Sequence, residues 1–67
     1  MTTLGDKIRI ERETKKLKQE DLARLLNLRQ TTISSYETNN SQPSYEMLIK
    51  IADLFEVSTD YLLGRED

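Results

Sequence analysis

The sequence predicts an all-α fold, a compact domain of five helices that takes up the whole chain, residues 1–67. Two observations lead to this prediction. Apolar residues recur three and four positions apart along most of the chain, which is the spacing of one helix face. No stretch alternates between apolar and polar residues as a half-buried strand does, and no internal repeat is present. A chain of 67 residues has room for one domain with one small core.

The first three helices are predicted from their apolar spacing. The first covers about residues 4–16, the second residues 19–26 and the third residues 30–37. The second has two acidic residues in its first turn, where they complement the positive end of the helix dipole. The residues predicted to face the core from the first two helices are Leu4, Ile8, Leu22, Leu25 and Leu26.

The last two helices are predicted from their caps as well as their spacing. The fourth follows Pro43, with Ser44 as its N-cap. The fifth opens at Ser58, another good N-cap, and ends at Gly64, a typical C-terminal stop. The apolar stripe of the fourth helix consists of Leu48, Ile51, Ala52 and Phe55.

Composition excludes several classes of protein. The chain has no cysteine and no histidine, so a disulfide framework is impossible and a transition-metal cage is not expected. No apolar run approaches the ~20 residues that a membrane span needs. The net charge of −2 is unevenly divided, because residues 1–29 carry eight basic and five acidic side chains and residues 30–67 carry two and seven. This asymmetry is either an ordinary solvated surface or a basic face for a polyanion with an acidic face turned away from it.

The predicted third helix has an unusual outer face. On a helical wheel, Ile33, Tyr36 and Glu37 lie on one side, and uncharged short polar residues lie on the other. A solvated helix face more often carries Lys and Glu, whereas Gln, Ser and Thr can read base edges in the DNA major groove. The outward residues are Thr31, Ser34, Ser35 and Thr38, with Gln30 at the N-terminal rim. The alternative is an ordinary exposed polar surface.

The second and third helices have the spacing of a helix-turn-helix, over about residues 19–37. Ala23 is small enough for another helix to approach it closely, and Asn27 suits the tight turn between the two helices. The N-termini at Gln19 and Gln30 present backbone N–H groups that suit phosphate oxygens.

Three segments together resemble the helix-turn-helix family of lambda-type phage repressors and Cro proteins, the Xre family. They are LKQEDLARLLNLRQTTISSYE at residues 17–37, NNSQPS at 39–44 and LIKIADLFEVSTDYLLG at 48–64. The resemblance covers nearly the whole chain. It implies the lambda-repressor-like fold, a single DNA-binding domain and no cofactor.

The resemblance also implies roles for residues at matching positions. Implied contacts with DNA bases are made by Arg29, Gln30, Thr31, Ser34 and Ser35. Implied contacts with the DNA backbone are made by Lys18, Gln19, Thr38, Asn39, Asn40 and Gln42. Arg12 is implied to pair with Glu37 and to orient the third helix, a weak surface pair being the alternative. A dimerisation patch is implied at Tyr45, Val57, Thr59 and Tyr61, with half-buried packing of the two tyrosines as the alternative.

The chain departs from the family pattern at several turns and caps. Many relatives have Gly where Lys16, Asn27 and Asn39 stand, and Asn suits the same left-handed backbone. Many have Ser or Thr where Lys18 and Arg29 stand. Both helices are therefore expected to lack a side-chain cap and to place a cation near the expected phosphates.

The implied function is sequence-specific binding of double-stranded DNA by a transcriptional regulator, a repressor that binds a pseudo-palindromic operator as a homodimer. The alternative to repression is activation, in which the acidic face opposite the DNA contacts RNA polymerase. The implied location is the bacterial cytoplasm at the nucleoid. An enzyme is not expected, because Ser34 and Ser35 have no histidine to activate them. The alternative is a protein-interaction module on the same scaffold, such as the DNA-binding half of an antitoxin.

Overall fold

The computed structural model describes residues 2–65, and over this range it consists of five helices joined by short connections. The helices are α1 Leu4–Thr14, α2 Gln19–Leu26, α3 Gln30–Glu37, α4 Tyr45–Phe55 and α5 Thr59–Leu62. The all-α prediction is therefore confirmed for the described residues. The predicted domain limits at Met1 and Asp67, together with Glu66, lie outside them.

The helix boundaries follow the predicted caps. The Ser44 hydroxyl accepts a hydrogen bond from the Met47 N–H at 3.1 Å, and the Ser58 hydroxyl accepts one from the Tyr61 N–H at 2.9 Å. Helix α1 ends two residues before the predicted limit, because Lys16 has a left-handed backbone with φ 58° that stops the helix. The fifth helix is also shorter than predicted, ending at Leu62.

The two asparagines predicted to adopt a left-handed backbone at turns do so. Asn27 ends α2 with φ 58°, and Asn39 follows α3 with φ 64°. Asparagine adopts this conformation more readily than other non-glycine residues. Glu56 adopts it as well, at the end of α4, and nothing in its residue type predicts that.

The core lies between all five helices. Its fully or nearly fully buried apolar residues are Ile8, Leu22, Ala23, Leu26, Ile33, Tyr36, Leu48, Ile51, Ala52, Phe55 and Leu62. The inward prediction for Leu25 is wrong, because 57% of its surface is exposed. At 100° per residue, Leu25 lies roughly 110° from the centre of the arc formed by the buried residues of α2.

No helix among residues 2–65 is long and apolar enough to cross a membrane. The longest helices, α1 and α4, have 11 residues each, against the ~20 that a span requires.

Candidate nucleic-acid interface

Helices α2 and α3 form the predicted pair. Ala23 of α2 and Ile33 of α3 are both buried in the core, and the turn at Asn27 lets the chain reverse between them. The Leu28 N–H donates to the Ala23 carbonyl at 2.8 Å, which satisfies an acceptor at the end of α2. The turn therefore fixes where α3 begins.

Helix α3 has the two faces that its sequence predicts. Ile33, Tyr36 and Glu37 are buried, so Tyr36 is a core residue as its wheel position indicates. Thr31 and Thr38 of the opposite face are exposed, Ser34 and Ser35 are half-buried, and Gln30 is exposed at the N-terminal rim. The open face carries no charged side chain before Glu37, whose carboxylate points into the protein.

The inner side of α3 is held by a buried ion pair. The Arg12 Nε donates to Glu37 Oε2 at 2.6 Å, and the second Arg12 contact reaches Oε1 at 3.1 Å. Arg12 is 9% exposed and Glu37 is 6% exposed, so the alternative of a weak surface pair is wrong. The hydrogen bond to Glu37 raises the pKa of Arg12, which stays charged. A further bond to the Leu17 carbonyl at 2.7 Å ties the same guanidinium to the loop before α2.

The ion pair extends to the outer surface through two glutamines. Gln19 Nε2 donates to Glu37 Oε1 at 3.0 Å, and Gln30 Nε2 donates to Gln19 Oε1 at 3.4 Å. A continuous chain of polar contacts thus runs from Arg12 in α1 to Gln30 at the exposed start of α3. The sequence indicated each of these four residues, but not the bond between Gln19 and Glu37.

Helices α2 and α3 begin without a side-chain cap, as expected from the basic residues that replace Ser or Thr at their N-cap positions. Lys18 and Arg29 occupy the two N-cap positions, and neither forms a side-chain cap. Both side chains are exposed. The Lys18 N–H instead donates to the Asp21 carboxylate at 2.8 Å. Each helix therefore begins beside an exposed cation.

The linker after α3 is tied to the protein at several points. Thr38 Oγ1 donates to the Ser34 carbonyl at 3.0 Å, and the hydroxyls of Ser41 and Ser35 are hydrogen-bonded at 3.0 Å. Asn39 directs its amide toward α1. Asn40 and Gln42 are exposed.

The predicted dimerisation residues have different surroundings. Tyr45 is 81% exposed, which makes the packing alternative wrong for that residue. Tyr61 is half-buried and packs from α5 against α1: its hydroxyl donates to Glu11 Oε2 at 3.1 Å, and Lys7 Nζ lies 4.9 Å from its ring centre. The bond to Glu11 raises the pKa of Tyr61. Val57 and Thr59 are also half-buried.

The comparisons with known proteins agree with this architecture. The chain is 34% identical over 65 residues to the HTH-type transcriptional regulator ImmR of Bacillus subtilis, an alignment that covers 97% of this chain and 51% of ImmR. It is 30% identical over 60 residues to Repressor protein C2 of Salmonella phage P22, covering 90% of this chain and 28% of that protein. The chain thus spans about half the length of ImmR and less of the phage protein.

A solved structure shares the whole fold. The P22 c2 repressor, crystallised in complex with a synthetic operator, superposes with a TM-score of 0.91 at 27% identity, over 98% of this chain and 100% of that one. The lambda-repressor-like fold is therefore confirmed. The helix-turn-helix family model matches residues 8–62, and the chain belongs to that family.

Proposed function

We propose that this protein binds double-stranded DNA sequence-specifically and regulates transcription by occupying an operator. The observation that carries the proposal is the exposed, uncharged polar face of α3, which the buried Arg12–Glu37 pair holds from behind. Rigid support suits a surface that must match base edges within hydrogen-bonding distance. The similarity to a repressor crystallised with its operator supports the proposal. The activity requires binding alone, without catalysis or a cofactor.

Gln30 is the central residue of the proposed base readout. Because its Nε2 donates one hydrogen to Gln19, its Oε1 and its second Nε2 hydrogen remain for a DNA partner. These two groups are the pair with which a glutamine reads an adenine bidentately in the major groove. The other proposed base contacts come from Arg29, Thr31, Ser34 and Ser35.

The proposed backbone contacts lie at the ends of α2 and α3. Lys18 and Gln19 are at the start of α2, and Thr38, Asn40 and Gln42 are in the linker. A phosphate contact by Asn39 would have to use the one amide hydrogen that its contacts with α1 leave over.

The proposed assembly is a homodimer on a pseudo-palindromic operator. Two copies of α3 would enter successive major grooves about one helical turn, ~34 Å, apart. Binding at a promoter would repress transcription in the cytoplasm of a bacterial cell, at the nucleoid. The exposed acidic residues of α4 and α5 would remain available to RNA polymerase.

The proposal is tested by selecting operators from random duplex DNA and titrating the result at several salt concentrations. We expect a two-fold symmetric motif and a linear fall of log affinity with log salt. Gln30→Ala should weaken operator binding by about 1–3 kcal/mol and relax the preference at one base position. Asp53→Ala, on the exposed surface of α4, is the control and should leave both unchanged.

Two results would contradict the proposal. A Gln30→Ala variant with unchanged affinity and base preference would remove that residue from the readout. Weak binding of DNA without any preferred sequence would favour the protein-interaction alternative. In that case Tyr45→Ala, a change at an exposed position, should abolish binding of the protein partner.

A further inference from the structure

Asn39 joins the end of α3 to the start of α1. Its Oδ1 accepts a hydrogen bond from the Gly5 N–H at 3.1 Å, and its Nδ2 donates to Thr3 Oγ1 at 2.9 Å. Thr3 is the N-cap of α1, and its hydroxyl also accepts from the Asp6 N–H at 3.1 Å. One amide thus satisfies groups at the N-terminus of α1 from a position 34 to 36 residues away.

The two helix ends meet at very close range. A Cβ atom added at Gly5 would lie 2.5 Å from the Tyr36 carbonyl oxygen and 2.6 Å from that of Glu37. Only glycine fits there without a shift of backbone. The positive N-terminal end of α1 consequently lies against the negative C-terminal end of α3, which is a favourable arrangement of helix dipoles.

Helix α1 is also attached to the end of α3 by the Arg12–Glu37 pair. Arg12 lies seven residues beyond Gly5, or ~10 Å along the helix at 1.5 Å per residue. Helix α3 is also held by Ile33 and Tyr36, which are buried in the core. The two attachments are separated along α1, so together they restrict rotation of the C-terminal end of α3, and with it the direction of the exposed face, more than either does alone.

We propose that Asn39 is a positioning residue for DNA readout. Its amide acts through α1 to fix the orientation of α3 and of the linker that follows. This inference rests on the proposed DNA-binding function. It differs from the phosphate contact that the family pattern implies for the same residue, because the effect on DNA is carried by Thr3 and Gly5.

The test uses variants that separate the side chain from the backbone. Asn39→Gly keeps the left-handed φ of 64° without strain and removes both bonds to α1. Thr3→Ala removes the acceptor for Asn39, and Thr3→Ser is the matched control that keeps the hydroxyl. Affinities for the selected operator and for a scrambled duplex are measured at a temperature where circular dichroism shows each variant fully folded.

We expect Asn39→Gly to weaken operator binding about tenfold, because without the two bonds the free protein would hold α3 in the binding orientation only about a tenth of the time. Binding to the scrambled duplex should change by less than about twofold, because it depends on phosphate charge rather than on the direction of α3. Thr3→Ala should reduce operator binding as well. The double variant should lose little more than the worse single variant, because both changes break one linkage. Thr3→Ser should bind as the unchanged protein does.

Three outcomes would overturn the inference. Equal losses on operator and scrambled duplex, additive with Thr3→Ala, would assign Asn39 a direct phosphate contact. Unchanged operator affinity in Asn39→Gly would confine the linkage to a structural role. If the wild-type protein showed no preference for the operator over the scrambled duplex, the proposed DNA-binding function itself would be wrong. That failure is distinguishable from a failure of the Asn39 inference, because it is seen in the wild-type protein alone.

Discussion

The replacement Glu37→Gln tests the energetics of the support behind α3. The change keeps the size and shape of the side chain and removes its charge. Glu37 accepts three hydrogen bonds, two from Arg12 and one from Gln19, in surroundings that leave 6% of its surface exposed. After the change the Arg12 guanidinium remains buried and charged with no buried anion beside it.

Breaking a buried ion pair from one side costs about 3–5 kcal/mol of unfolding free energy. We expect about 3 kcal/mol, because the exposed carboxylate of Glu13 lies 3.9 Å from Arg12 and offsets part of the loss. A domain of 67 residues has a total unfolding free energy of about 3–10 kcal/mol. The single change should therefore remove a large share of the stability.

Urea denaturation followed by circular dichroism measures this loss. With a slope near ~1 kcal/mol per molar urea for so small a domain, the midpoint should fall by about 3 M, or the variant should be unfolded in buffer. Arg24→Gln is the control: its 3.8 Å contact with Asp21 is solvent-exposed and should contribute under about 1 kcal/mol. The double variant Arg12→Met with Glu37→Leu should be more stable than Glu37→Gln, because no charge is left buried.

A loss below about 1 kcal/mol for Glu37→Gln, similar to that of Arg24→Gln, would refute this reasoning. It would mean that water reaches the pair in solution and that the pair does not support α3.

Two further predictions concern positions where the structure departs from simple sequence rules. Leu22→Ala should lower the unfolding free energy by about 2–5 kcal/mol and Leu25→Ala by under about 0.5 kcal/mol, because Leu22 is buried and Leu25 is exposed. The urea midpoints of the two variants measure these losses, and equal losses would contradict the assigned faces of α2. Lys16→Gly should raise the unfolding free energy by about 0.5–1 kcal/mol, since glycine adopts φ 58° without the steric cost that lysine bears there. A melting temperature unchanged or lowered by the glycine would show that the flexibility it adds to the unfolded chain outweighs the relief.

The boundaries of α2 and α3 were predictable because local signals agree there. Apolar spacing, acidic residues in the first turn of α2 and a turn-forming Asn27 all point to the same limits. The end of α1 was not predictable in the same way. Lys16 is a good helix former, and the chain turns left-handed there because α2 must be placed against the core, a tertiary requirement that local propensity does not contain.

The sequence was enough to predict which face of α3 is exposed, but not which hydrogen bonds join the residues of the candidate site to other helices. A helical wheel shows that Thr31 and Ser35 point away from Ile33, and this requires only the helical period. It does not show that Gln19 bonds to Glu37, 18 residues away, or that Asn39 bonds to Thr3. Such contacts depend on how whole helices are placed relative to each other.

The contacts within the protein show which charged side chains are engaged and which are exposed. Three of the five acidic groups in residues 1–29 are engaged within the protein: Asp6 accepts from the Thr3 N–H, Asp21 accepts from the Lys18 N–H, and Glu11 accepts from Tyr61. Four acidic residues of the second half lie exposed on and beside α4 and α5, and they are Glu46, Asp53, Glu56 and Asp60. Lys18 and Arg29 stand at the N-termini of the pair α2 and α3, where helix dipoles add further positive potential. A protein with a net charge of −2 can therefore present a locally positive surface to phosphates, provided that it approaches DNA with α2 and α3 foremost.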